Sequence, residues 1–145
     1  MRVDFYQLSQ DGPEQVVPLL ARASLQADER LLVVAEEADL RSAIDAALWD
    51  AHPEAFLAHG EAGTTHAARQ PILLASGCTA DNGAKYCVLA DGQWRDEANG
   101  FARVFLVFGD ERIEETRGVW RMLDSVEGAE RHFWKQDGGK WREGP

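Results

Sequence analysis

Long apolar runs are missing from this chain of 145 residues. Nothing in it approaches the roughly 18 consecutive apolar residues that a membrane-spanning helix requires. Cysteine is scarce as well. Cys78 and Cys87, the only two, have no CxxC spacing and are too few for a structural zinc site; a lone disulfide is not expected in an unexported chain. Positive charge is in deficit, with 15 Lys and Arg against 25 Asp and Glu, a net charge of −10 and a pI near 4.8. A surface of that sign repels nucleic-acid phosphates and anionic lipid, so direct contact with either is not expected. The segment Met1-Arg2-Val3-Asp4-Phe5-Tyr6 carries an acid early and has no apolar signal-peptide core, so the expected location is the cytoplasm.

What is present is the composition of a globular protein: 45% hydrophobic and 28% charged residues. The length suits a single domain spanning residues 1–145, without internal repeat or linker. Val3 to Leu8 predicts a strand, closed by the turn cluster Ser9 to Pro13. Pro13 to about Ala27 has helical apolar spacing, with Pro18 inside it; the helix either begins near Pro18 or kinks there. Leu31 to Ala35 is a continuous apolar run, the mark of a strand buried on both faces. Glu36 to Trp49 follows as a helix with Leu40, Ala43, Ile44, Ala47 and Leu48 on one face. A strand, a crossover helix and a doubly buried strand predict a parallel pair at the heart of an α/β sheet.

Further on, Ile72–Ala75 and Tyr86–Leu89 read as short strands joined by a polar loop, and Phe101–Phe108 as the strongest late strand. Arg112–Asp124 is a predicted helix with Ile113, Thr116, Val119, Trp120 and Leu123 facing inward or towards a partner. His132 to Gln136 predicts a strand, with a hairpin return through Lys140-Trp141-Arg142.

Catalytic chemistry finds little support in the residues. An α/β domain raises the question of nucleotide binding at its first strand–helix turn. That turn, Ser9-Gln10-Asp11-Gly12-Pro13-Glu14, has one glycine, two acids and a proline without an amide donor, and lacks GxGxxG and the phosphate-loop lysine. A small nucleotide- or cofactor-binding enzyme is therefore the alternative reading. His52, Glu54, His59 and His66 cluster in sequence, but without metal-ligand spacing, and read as solvent-facing or capping residues. Ser125, His132 and Asp137 lack a nucleophile elbow. Cys87 reads as core, whereas the reactivity of Cys78 depends on its surroundings. No catalytic residue, metal or cofactor is expected.

The tryptophans and the distribution of charge say more. Residues 110–145 hold seven Lys and Arg against nine acids, while residues 1–109 hold eight against sixteen. The acidity is thus concentrated in the body of the chain. On the last helix Arg117, Trp120 and Arg121 share a face by i, i+3, i+4 spacing. Two guanidiniums beside an indole suit an acidic peptide with an aromatic anchor. On spacing alone, an amphipathic helix with Trp120 in the core and its arginines solvated or paired to Glu114 and Asp124 is the simpler reading.

A resemblance shifts that balance. VDFYQL, LLVVAEEADL, Asp45 to Trp49 followed by Phe56-Leu57-Ala58-His59, Phe105 to Asp110, Arg117 to Trp120, and Phe133 to Gln136 together resemble the chi subunit of bacterial DNA polymerase III. The likeness runs in order through nearly the whole chain and is poorest between Ala62 and Asn99. It implies a Rossmann-like, three-layer α/β domain with a mostly parallel central sheet flanked by helices. It also implies a non-catalytic replicase subunit, associated with the clamp loader, usually through the psi subunit, and without a cofactor. Its expected ligand is the acidic, Phe-ending C-terminal tail of single-stranded DNA-binding protein. Carried over by position, the tail pocket has Trp49 and Phe56 on one wall, Leu106 at the floor, and Arg117, Trp120 and Arg121 on the last helix. Basic positions of some relatives fall here at Ile113-Glu114 and Asp124, so a less cationic pocket is expected.

Overall fold

A computed structural model describes residues 1–50, 57–137 and 140–144 of the chain. Among these residues eight strands form one sheet: β1 (Arg2–Gln7), β2 (Leu31–Val34), β3 (His59–Glu61), β4 (Ile72–Ala75), β5 (Tyr86–Leu89), β6 (Arg103–Phe108), β7 (Glu130–Asp137) and β8 (Lys140–Glu143). Their order is β3-β4-β2-β5-β6-β1-β7-β8. Every neighbouring pair is parallel except β7 and β8. Among the described residues three α-helices accompany the sheet: α1 (Pro13–Gln26), α2 (Ala38–Asp50) and α3 (Ile113–Leu123).

The two-sided burial anticipated for the central strands is observed, with all four residues of β2 and of β4 buried. Successive side chains alternate between two apolar layers. Leu31 and Val33 join Val16, Val17, Leu20 and Ala21 of α1 and Ile44 and Leu48 of α2 in one layer. Leu32 and Val34 join the opposite layer, which Leu123 of α3 closes. Helices α1 and α2 thus cover one face, and α3 the other. Among the described residues no helix is long and apolar enough to cross a membrane.

Several expectations need adjustment. Strands β1 and β2 run parallel but are not paired, because β5 and β6 lie between them. A crossover helix constrains hand and direction, while later strands can still insert between the two it joins. Helix α1 begins at Pro13 and continues through Pro18 to Gln26. Gly12 precedes Pro13 in extended conformation, and its amide donates to Gln15 Oε1 at 2.8 Å. Helix α2 starts two residues later than predicted, since the Glu36 amide is taken by Asp91 Oδ2 at 3.0 Å. Ala43, assigned to its apolar face, is exposed. Strand β3, with the sequence His-Gly-Glu, carries no apolar alternation and was not anticipated.

Candidate functional site

The register of β6, β1 and β7 builds the site. Phe5 stands beside Leu106 on one side and Phe133 on the other; two residues on, Gln7 stands between Phe108 and Lys135. Directly opposed residues of paired strands share a face. Phe5, Phe108 and Phe133 therefore turn together towards α3. The helix answers with Ile113, Thr116, Arg117 and Trp120, an i, i+3, i+4, i+7 stripe. Between helix and sheet is a groove of about 340 Å³ lined by those residues together with Gln7 and Lys135.

Its floor is aromatic. Trp120 meets Phe5 edge-on at 5.0 Å and Phe133 at 6.3 Å, and Phe108 meets Phe133 at 6.1 Å. Edge-to-face contacts at such separations are favourable beyond simple burial. Arg131 lies over the Trp120 ring at 4.8 Å. It also donates to the Trp120 carbonyl at 2.7 Å and to Asp124 at 3.0 Å, so the indole and the end of α3 are tied to β7. At the rim stand Arg117, which pairs with Glu114 at 2.9 Å, and the exposed Lys135. Thr116 is only 3% exposed, yet its hydroxyl has no hydrogen-bond partner among the described residues. A buried hydroxyl left unpaired costs free energy, so a groove that presents one is suited to a ligand with a polar group.

The residues anticipated as one pocket do not all meet. Arg117 and Trp120 line the groove. Leu106 shares the row of Phe5 and Phe133 but is fully buried beneath the groove rather than exposed in it. Arg121 is exposed on α3 and does not line it. Phe56 lies outside the described residues. Trp49 is the clear correction. It ends α2, in the layer on the opposite face of the sheet, and is 60% exposed. There its ring packs 4.8 Å from that of His59. His59 Nδ1 contacts the Leu57 carbonyl at 2.7 Å, and Nε2 approaches Asp45 at 2.9 Å without good hydrogen-bond geometry. The sheet separates Trp49 from Trp120, because the β2–α2 and β6–α3 connections leave on different faces.

The arginines of α3 divide between the two alternatives of the simpler helical reading. Arg117 pairs with Glu114 and Arg121 is exposed, while Asp124 is engaged by Arg131 from β7. The departure at Ile113-Glu114 leaves Ile113 as an apolar wall and Glu114 as a partner that offsets part of the Arg117 charge. Sequence reasoning did not assign Phe5, Phe108, Thr116, Phe133 or Lys135 to the site. Thr116 was recognisable on the inward stripe; the others needed the strand order.

The larger hollow, about 610 Å³, lies at the carboxyl ends of β1, β5 and β6. Parallel α/β sheets commonly take nucleotides at such a crevice. Here its lining includes Asp11, Glu37, Asp91, Asp110 and Glu111 against Arg112 alone. The Glu14 carboxylate folds over Gly12 at the start of α1, where a side chain on Gly12 would meet it at 2.5 Å. Asp91 is held below the usual carboxylate range: burial opposes this, but Arg95 and the amides of Glu36 and Gln93 prevail. Carboxylates thus occupy the place where phosphate would need donors.

Comparison with known proteins gives one family, described as DNA polymerase III chi subunit, HolC, which matches residues 1–129. No curated protein sequence matches the chain.

Proposed function

The chain belongs to the DNA polymerase III chi subunit family, and from that premise we propose that it is a non-catalytic accessory subunit whose α3 groove captures an acidic protein tail. The tail is the Phe-ending C-terminus of single-stranded DNA-binding protein, and its capture brings the polymerase to coated single strands. The observation that carries this reading is an aromatic-floored groove with cations at its rim and an orphaned hydroxyl in its wall. A terminal phenyl ring suits the space over Phe5, Phe108 and Phe133. A terminal carboxylate suits the Thr116 hydroxyl and the guanidinium of Arg117, whose planar donors match a carboxylate. Capture through so few anchors favours a reversible complex.

Association with the clamp loader through a psi partner rests on the family alone. The acidic body supports contact with DNA through its coating protein rather than directly. One sheet shared by both apolar layers supports a single domain. The parallel core with helices on both faces supports a Rossmann-like description, though with a strand order other than the 3-2-1-4-5-6 of dinucleotide-binding folds. The expected compartment is the cytoplasm.

Calorimetry with an acidic, Phe-ending peptide tests the groove. Arg117→Ala is expected to weaken binding by about tenfold, the scale of a charge-assisted bond to a carboxylate. Trp120→Ala is expected to abolish it, and deletion of the terminal Phe to do the same in the wild type. Titration curves identical to wild type for both variants would overturn the assignment.

A further inference from the structure

Strands β7 and β8 begin at Glu130, beyond the residues 1–129 that match the family. Yet Lys135 of β7 lines the α3 groove, and it also lines an adjoining crease of about 370 Å³ with Asp137, Arg142, Glu143 and Gly144. The antiparallel register sets Lys135 opposite Arg142 and Asp137 opposite Lys140. Opposed residues share a face, so these four side chains stand on the α3 side of the hairpin. Trp134 and Trp141 go to the other side, where both pack on Tyr6 at 6.0 and 5.1 Å. The hairpin alternation therefore sends indoles inward and cations outward, towards the groove.

The local charge differs in sign from the rest of the molecule. Two of the three lysines of the chain are here, in a protein of net charge −10. Asp137 meets Arg142 at 3.3 Å. The carboxylate of Glu143, which also lines the crease, is held by His132 Nδ1 at 2.7 Å. On the α3 face of the hairpin Lys135, Lys140 and Arg142 thus stand against Asp137, a surplus of cations beside the rim of the groove.

We propose that the β7–β8 hairpin is the electrostatic extension of this groove: with a terminal aromatic seated under α3, the acidic residues upstream run outward across Lys135, Arg142 and Lys140. The inference rests on the groove being the tail site. Geometry favours it, because neighbouring strands are about 4.8 Å apart and an extended peptide advances about 3.3 Å per residue. Acids two to five positions before the anchor therefore come within reach of the three cations. This supplies positive charge that α3 itself lacks at Glu114 and Asp124.

The test uses the full chain and two labelled peptides of equal length ending in Phe, one with upstream Asp residues and one with Asn in their place. Fluorescence anisotropy is measured for the wild type and for a Lys140→Ala, Arg142→Ala double variant, which leaves the groove lining intact. The expected result is about fivefold weaker binding of the Asp peptide by the double variant at low salt, with a shallower salt dependence. Binding of the Asn peptide stays unchanged. The proposal is overturned if the double variant holds the Asp peptide as tightly as the wild type, or loses both peptides in parallel. Equal binding of the two peptides by the wild type overturns the hairpin but leaves the groove standing. Failure of the wild type to bind either one overturns both.

Discussion

Cys78 and Cys87 show how a tertiary neighbour decides the chemistry of a side chain. Cys87 is buried in β5, and Cys78 is partly exposed. A hydrogen bond from the Cys87 thiol holds Cys78 below the usual thiol range; burial works against it, and Arg95 assists. Cys87 is pushed well above that range by the same hydrogen bond and by burial. Reactivity follows the thiolate, so iodoacetamide at pH 8 should modify Cys78 at least about tenfold faster than Cys87. Peptide mass spectrometry over time reads both rates, and equal rates would contradict the assignment. The sequence placed Cys87 in the core because its strand is apolar, but nothing local to Cys78 announced its partner. Thr116 offers a second test at this scale. Thr116→Val removes an unpaired buried hydroxyl, and is expected to raise stability by about 1 kcal/mol while weakening the tail peptide several-fold. Thermal melting and calorimetry should therefore move in opposite directions; a loss in both would mean that the hydroxyl is structural.

Among the elements, the β7–β8 hairpin carries its own titration. His132 lies between Glu143 of β8 at 2.7 Å and Glu130 at 3.2 Å. The bond to Glu143 raises its pKa above the ordinary 6.5, burial opposes, and Glu130 adds to the rise. A group whose folded pKa is raised contributes stability fully below its unfolded value, and that contribution disappears as pH climbs through the folded value. The wild type should accordingly lose more melting temperature between pH 6 and pH 8 than a His132→Gln variant, by about 1–2 °C for so exposed a group. Identical slopes for the two proteins would remove His132 from the account. Element identity was largely legible: β4 and β5 fall on their predicted residues, and α3 within one residue at each end. The stripe Ile113, Thr116, Trp120, Leu123 was readable because a helical period is a local signal. Strand β3 was not, since its three residues His59-Gly60-Glu61 gain their pairing only from β4.

Over the whole molecule, charge and not volume separates the two hollows. The larger, at the strand ends, is walled by acids, and the smaller, under α3, opens towards cations. Millimolar ATP or NAD should leave the melting temperature unchanged, whereas the acidic tail peptide should raise it, as any ligand specific to the folded state does. Stabilisation by a nucleotide alone would restore the enzymatic alternative. The uneven distribution was countable in advance, with the body carrying most of the acid excess. Which cations face one groove was not countable, because Lys135 and Arg117 come from different elements.

Local patterning already sets the class of fold and the character of most elements, because two-sided burial and helical spacing are written over a few consecutive residues. The sequence also determined family membership, which matched over residues 1–129. Only the tertiary structure decided that β1 lies between β6 and β7 and so brings Phe5, Phe108 and Phe133 under one helix. Only it decided that Trp49 and Trp120 belong to opposite faces. The reason is physical: alternation and period say which side of an element is apolar, while the choice of neighbour is made by pairing between segments far apart in the chain, as Arg2 beside Glu130 shows.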